Sequence, residues 1–579
     1  ADIDLSAYSS GSGWTPIGGS YNQQFSGTFD GNGHKITNLY INRNATCSGL
    51  FGSAENAVIK NLGVEGNITT NQIDSGGLVG WISNGEIENC YSEVNINGAT
   101  QCGNLVGKAN GTITNCYTIG KTTSTGKQVG GLVGHANGTV KNCFATGNVT
   151  AERYSIGGLL GQGNGEVINC FATGNVNGSS YTGGLCGWYG GTVLNSHSSG
   201  NIATQEPGEC APGGFIAALS GGSISNCYST GNVYSSGNFA GGFIAITSSS
   251  DVTITNCIAT GNVEAEGTRI GGFVGFAEST STTFENCYAS GNVKGNGSVG
   301  GFLGHTSAKI ELRDCYATGN VTSTGGTSGG LCGYVSSSSI LENSYSTGNV
   351  SGTIFVGGLI GQTTSSQITN CYTSGKVEGI NLVGGLAGYT NSTITDCYVL
   401  GKSDGVTGAI AGLANGTITN CYYDSLYADT PLKGSGSATL TDCEAYEGSE
   451  PFKFNDALIT MQVGINGNSN SRINADLGFD LGNIKDISAM GLQNSRTLSI
   501  IDNAISLISA KQTNLGASQN RLESALSEIS THYENLISSR STLKDADIAE
   551  VSSEYIKQQI LQQASATLLS TANQTPALA

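Results

Sequence analysis

The sequence predicts a mainly β protein: a parallel β-solenoid, or β-helix, of about 14 coils, followed by a C-terminal α-helical domain. Three observations carry this. A glycine-apolar signature recurs fourteen times, from Ser48-Gly49-Leu50-Phe51-Gly52 through Gly76-Gly77-Leu78-Val79-Gly80 to Gly408-Ala409-Ile410-Ala411-Gly412, in steps of 24 to 30 residues. A second block, seen in Val140 to Val149, Val167 to Val176 and Leu312 to Val321, follows inside each unit. The composition then breaks near residue 490. Of 89 glycines only Gly491 and Gly516 lie in the last 89 residues, where Ala, Leu, Gln, Glu and Lys take over.

These breaks divide the chain into an N-terminal cap (1–45), the repeat solenoid (46–450), a β-hairpin or junction (451–488) and C-terminal helices (489–579). The opening, with Trp14-Thr15-Pro16-Ile17-Gly18 and Phe25 to Gly33, suits a cap, because an uncovered solenoid end exposes an edge that pairs indiscriminately. In the array, a period near 27 with about three short β-branched segments reads as one coil paired in register with the next. Equivalent residues then stack about 4.8 Å apart, and fourteen coils make a rod about 65 Å long. Alternation along Ile113-Thr114-Asn115-Cys116-Tyr117 is expected to turn every second side chain inward. Coils of unequal length keep the order of blocks, so insertions are expected in turns. Recurrent Gly-Asn pairs, such as Gly147-Asn148 and Gly261-Asn262, are expected at tight corners where glycine takes positive φ and asparagine amides form a ladder. A calcium site is disfavoured there, since the clustered aspartates it prefers are missing.

Twelve of the seventeen cysteines follow Asn or Asp at one repeat position, and Ser196 and Ser344 stand there in two other units. A slot that accepts serine once per coil reads as a stack of small, buried, free thiols. Parallel Cβ vectors give poor disulfide geometry, and without CxxC or a partner histidine no metal site is indicated. Cys186 and Cys332 take the apolar slot filled elsewhere by Val133 and Leu160.

Aromatic residues recur just after the cysteine slot. Tyr91, Tyr117, Tyr228, Tyr288, Tyr316, Tyr345 and Tyr372 form the candidate surface ladder, with Phe144, Phe171 and Tyr398 in register. If the cysteines point inward, these rings point outward and could hold a glycan or merely cover the sheet. Catalysis finds no support. The histidines at 34, 135, 197, 305 and 532 lack the HExxH context a zinc protease needs. His135 and His305 read as exposed turn residues, and Asp251, Glu278 and Glu311 are scattered singly. No catalytic residue, cofactor or metal ligand is assigned. With 11% charged residues and a net charge of −18, no basic patch exists for nucleic acid. No apolar run reaches membrane-spanning length, and the opening residues lack the regions of a signal peptide.

The tail carries helical periodicity. Ile501, Ile505, Ile508, Leu515, Leu522, Leu526, Ile529, Tyr533 and Ile537 follow three-to-four spacing with occasional skips, and Val551, Tyr555, Ile556, Ile560, Ala564 and Leu568 form a second set after a break at 539–547. Such narrow seams need partner helices.

Two family resemblances follow from these residues. The units, best at Gly130 to Gly134 and Gly157 to Gly161, resemble the GLUG repeat over roughly 46–424. That repeat occurs in bacterial surface proteins, including adhesins and the non-catalytic part of immunoglobulin A1 proteases. The tail resembles the C-terminal region of bacterial flagellin over about 454–579. The match rests on Ile501 to Ile505, Leu515 to Leu522, Ser539-Arg540-Ser541 with Asp545-Ala546-Asp547, Ile560 to Ala564 and Ala572 to Pro576, with Gln462 to Gly467 upstream.

By that resemblance, Ile501, Ile505, Leu515, Gln519, Asn520, Arg521, Leu522, Arg540, Asp545, Asp547, Ile560, Leu561, Gln562, Gln563 and Leu568 belong to filament-assembly helices. The implied partners are other flagellin subunits, as a homopolymer, and an N-terminal flagellin half that this sequence does not contain. The implied role is a structural subunit of the extracellular flagellar filament, exported without a cleaved signal and displaying the solenoid as its outer domain. Gln519 to Leu522 fall where the family is recognised by a host flagellin receptor. The alternative is a surface adhesin or glycan-binding module mounted on a flagellin-type tail.

Overall fold

Each repeat is one turn of a parallel solenoid, and residues 133–157 show how the sequence closes it. The computed structural model describes residues 1–446 except 209, 337, 402–406 and 425–430, together with 458–462 and 472–476. Val133–Lys141 is the long strand of this turn. Asn142 then bends the chain in the left-handed region, φ 53°. Phe144–Ala145 and Val149–Ala151 follow as short strands, and Tyr154–Gly157 completes the turn.

Every segment pairs in parallel with its equivalents one turn before and after. Val133 lies between Val106 and Leu160, Phe144 between Tyr117 and Phe171, and Val149 between Thr122 and Val176. The sequence predicts three segments per turn, but this turn has four. Among the described residues the first three join one 48-stranded sheet, while the fourth builds an 11-stranded sheet of its own. That fourth strand is only two to four residues long and runs into the glycine signature, which hides its pattern.

The alternation expected along Ile113 to Tyr117 is also corrected. Ile113 and Cys116 both face the core, because the left-handed corner at Asn115 (φ 56°) resets the direction of the side chains. Alternation resumes beyond it, with Tyr117 half-buried and Thr118 inward. Burial of one face then fixes the register, since a slip of one residue would expose the whole apolar set.

The apolar residue after each glycine pair lines the centre of the solenoid. Leu105, Leu132 and Leu159 hold this place in the earlier turns, and Phe215, Phe243, Phe273 and Phe302 in the middle ones; all are fully buried. Each such side chain contributes about 1.5–3 kcal/mol by leaving water. A parallel row of Val149, Val176, Ile202, Val233 and their successors fills the other side of the turn. Cys186 and Cys332 occupy the apolar slot as expected, in register with Leu160 and Leu303. One insertion, Ser248 to Asp251, bends out between Ile244–Thr247 and Val252–Thr255.

At the N-terminus, Thr28–Asn42 pairs with both Ile3–Asp4 and Val58–Thr69. The preceding loop lies against the first turns. Trp14 Nε1 donates to the Leu50 carbonyl (3.1 Å), the Tyr21 hydroxyl donates to Asp74, and Phe25 and Phe29 pack on Phe51. Residues 1–447 form one compact unit and 448–579 another. In the second unit, the described strands Leu458–Gln462 and Arg472–Asp476 pair antiparallel.

Candidate functional site

The solenoid presents its chemistry as ladders, one residue per turn. The corner is made by Asn or Asp just before the cysteine slot, as at Asn115, Asn142, Asn169 and Asp314, with φ between 52° and 56°. Asparagine and aspartate tolerate this region better than other side chains. The corner side chains also bond along the axis. Asn115 Nδ2 donates to Asn89 Oδ1, Asn142 to Asn115 and Asn169 to Asn142, at 3.0–3.1 Å.

The Gly-Asn pairs do stand at bends, as Gly147-Asn148 does between Phe144–Ala145 and Val149–Ala151, but the positive φ expected of the glycine is corrected. Gly147, Gly174, Gly231 and Gly261 are not among the residues with positive φ. Glycine is required there because the turns approach too closely for a side chain: a Cβ on Gly147 would lie 2.0 Å from the Gly120 carbonyl oxygen. The following asparagines do form a ladder, though to backbone. Asn148 Oδ1 accepts the N–H of Asn175, and Asn175 Oδ1 that of Asn201, both at 2.9 Å.

The cysteine slot lies just inside the corner. Cys90 through Cys421 are buried and free, and Cys443 is half-buried. The N–H of Cys116 donates to Cys143 Sγ (3.4 Å), while Cys116 Sγ donates to the Thr114 carbonyl (3.1 Å). Ser196 plays both parts where it replaces cysteine, accepting from the Cys170 N–H (3.1 Å) and donating to the Leu194 carbonyl (2.8 Å). The slot thus demands a small group that both donates and accepts. Burial pushes the Cys116, Cys170 and Cys315 thiols well above their ordinary range, which suppresses the reactive thiolate. Cys143→Ser is expected to change stability by less than about 1 kcal/mol. Cys143→Val leaves the Cys116 N–H buried without an acceptor, at a cost of about 1–3 kcal/mol. Thermal melts of the two variants test this; equal losses would remove the hydrogen-bonding account.

The predicted tyrosines lie on one half-exposed stripe. Tyr288, Tyr316, Tyr345 and Tyr372 stack with centroids 4.7–4.8 Å apart, and Tyr91 and Tyr117 at 5.1 Å. Phe144, Phe171 and His197 continue the earlier run to Tyr228, and Ile258 separates the two runs. His197 belongs to this stripe although its residue type hid it. The signal was its place directly after Ser196, the substitute for cysteine. Rings sandwiched in this way use their faces on one another and turn only edges to solvent. A sugar ring, which stacks on an aromatic face, finds few free faces here. Burial raises the Tyr345 hydroxyl to about 12, so that member of the ladder stays uncharged at neutral pH.

His135 and His305 are not exposed turn residues. Both are half-buried on strands, Val133–Lys141 and Leu303–Thr306. Burial, and then the charge of Arg269, holds His305 at about 4; burial and Lys108 lower His135. Among the described residues, no three of His, Cys, Asp and Glu are placed to hold a metal ion, and no helix is long and apolar enough to cross a membrane. The tail residues named for assembly, Ile501 to Leu568, lie outside the described residues.

Comparison with known proteins adds the remaining information. The bacterial flagellin C-terminal helical region matches residues 498–578. The GLUG motif matches seven segments: 71–97, 125–150, 152–177, 208–234, 266–294, 295–322 and 355–378. Flagellin E of Vibrio cholerae is 41% identical over 100 residues, which is 17% of this chain and 26% of that protein. Flagellin of Bacillus subtilis is 37% identical over 107 residues, 18% of this chain and 30% of that protein. The putative flagellin YvzB of Bacillus subtilis is 35% identical over 123 residues, 20% of this chain and 76% of that protein. The chain thus spans 26–30% of the length of the first two relatives. No solved structure matches it. These matches point to a structural or adhesive protein and not to an enzyme.

Proposed function

The chain belongs to the flagellin family through its C-terminal region, and from that premise we propose that it is a structural subunit of a bacterial flagellar filament. In this reading the helices of 489–579 bury their apolar seams against partner helices, and repetition of that docking builds the filament wall. The partner helices come from an N-terminal flagellin half and from neighbouring subunits. The solenoid is the outer domain, facing the medium.

The observation that carries the reading is the order of matches along one chain: GLUG segments from 71 to 378, then the flagellin region at 498–578. Two features suit an extracellular outer domain. Backbone pairing between successive turns makes it stiff without a partner. Sixteen of its seventeen cysteines are buried and all are free, and stacking in register would hold their Cβ vectors parallel, so an oxidising medium finds little to cross-link.

Mass spectrometry and electron microscopy of purified surface filaments test the proposal. The expected result is this chain, joined to an N-terminal flagellin half, as a component of the filament wall. Recovery only as a soluble monomer would overturn it.

A further inference from the structure

Outside the ladders, a polar cleft opens on the surface of the described residues. It lies on the outer face of the long strands at Val133–Lys141, Leu160–Ile168, Cys186–Leu194 and Ile216–Ser225, with a volume of about 380 Å³. That is within the range of small-molecule clefts, about 300–1,000 Å³. Its walls carry His135, Asn137, Gln162, Asn164, Trp188 and Ser220, and its floor is glycine. None of the residues lining it is Asp, Glu, Lys or Arg.

The wall groups are positioned by bonds to neighbouring turns. Gln128 Nε2 donates to Gln162 Oε1 (2.5 Å), which fixes the Gln162 amide. Gln101 Nε2 lies 3.2 Å from His135 Nδ1. Gln101 donates to Nδ1 of the neutral imidazole, which leaves Nε2 as its donor, within reach of the Asn137 amide. Asn137 Nδ2 donates to Asn110 Oδ1 (3.1 Å), while Asn137 Oδ1 is buried without a protein partner. Trp188 meets Tyr181 edge-on, with planes at 70°, and is not sandwiched between rings as the tyrosines of the ladder are.

We propose that this cleft is a binding site for a neutral saccharide, with the Trp188 indole against the sugar's C–H face and the amide, imidazole and hydroxyl groups on its hydroxyls. An uncharged wall of paired donors and acceptors suits vicinal hydroxyl groups. None of its lining residues can neutralise a phosphate, a carboxylate or an ammonium group, and the charge that acts on it, Lys108, lies one turn from His135 and outside the lining. A peptide strand is excluded as an added β-strand, because Leu160–Ile168 and Cys186–Leu194 are each already paired along both edges. The glycine floor lets a flat ring lie close to the backbone. At Gly190 no backbone stands in the way: a Cβ there would meet only the Ser220 hydroxyl, at 2.7 Å, which would have to turn aside. This site does not depend on filament assembly and can be tested on the whole 579-residue chain.

The test is calorimetric titration of the 579-residue chain with cellotriose, chitotriose and maltotriose, and with sialyllactose as an anionic comparison. Saturable binding of at least one neutral trisaccharide is expected, weakened tenfold or more by Trp188→Ala and by Gly190→Leu, with sialyllactose no tighter. Gly190→Leu fills the cleft from a position whose φ is ordinary and displaces only the Ser220 hydroxyl from the Tyr189 carbonyl, so it should fold, and Ser220→Ala, which loses the same bond, is the control for its melting temperature. Tyr316→Ala, on the aromatic stripe, is expected to leave binding unchanged. No binding by any neutral probe, preference for sialyllactose, or binding undiminished in both cleft variants would each overturn the assignment.

Discussion

Gly261→Ala is expected to divide the cooperative unfolding of the solenoid into two transitions, at a cost near about 3 kcal/mol, the upper end of the usual range for overpacking. The added Cβ would sit 1.9 Å from the Gly231 carbonyl oxygen and 2.6 Å from its carbon. Neither partner can retreat. The N–H of Asn262 is held by Asn232 Oδ1 (2.9 Å), and the Asn262 carbonyl accepts the Val233 N–H (2.8 Å). On the far side, Gly291 stands in the same relation to Gly261, with a Cβ distance of 1.9 Å. Stability in a repeat fold is a sum of units and nearest-neighbour interfaces, so one weakened interface uncouples the turns on either side. Gly19→Ala is the control, since its Cβ would meet only the Pro16 carbonyl oxygen at 3.5 Å. Calorimetry and limited proteolysis between 231 and 262 read the outcome. A single transition at the parental temperature would show that the turns can separate without loss.

The same glycines show how much of this fold the sequence makes legible. Repeat length, parallel pairing, the inward cysteine slot and the outward aromatic stripe all follow from periodicity, because each depends on a residue and its own turn. The reason for glycine in Gly-Asn does not. Seen alone, a glycine beside asparagine signals a left-handed corner, yet here the constraint comes from a carbonyl in the preceding turn. The left-handed corner lies five residues earlier in chain order, at Asn142 where the glycine is Gly147. Its signal is the Asn or Asp that precedes every cysteine slot, two residue types tolerant of positive φ. The cleft at Trp188 was illegible for a related reason. Its residues, His135, Gln162, Trp188 and Ser220, are unlike one another and come from successive turns, so no single repeat displays the site. The seams and motifs of the tail are read from the sequence alone, because residues 501–568 lie outside the described residues.

Phe273→Ala is the second large effect and differs in kind, because it removes volume where Gly261→Ala adds it. Phe273 is fully buried, stacked between Phe243 and Phe302 at 4.7 and 4.6 Å, with Phe284 edge-on at 6.2 Å. Truncation is expected to cost about 3–5 kcal/mol, the range for a buried phenylalanine. Backbone pairing on both sides stays intact, since Val274 and its partners Ile244 and Leu303 keep their register. The turn therefore cannot collapse onto the space, and a void remains between two facing rings. Phe273→Leu should cost less, because leucine fills this place at Leu132 and Leu159, in turns of 27 and 26 residues against the 29 of the Phe273 turn. An apolar void that stays dry can accept a small aromatic molecule. Benzene is accordingly expected to restore part of the melting temperature lost in Phe273→Ala and none of that lost in Gly261→Ala. Equal rescue of both would mean that the glycine row serves core volume and not the approach of the backbone between turns.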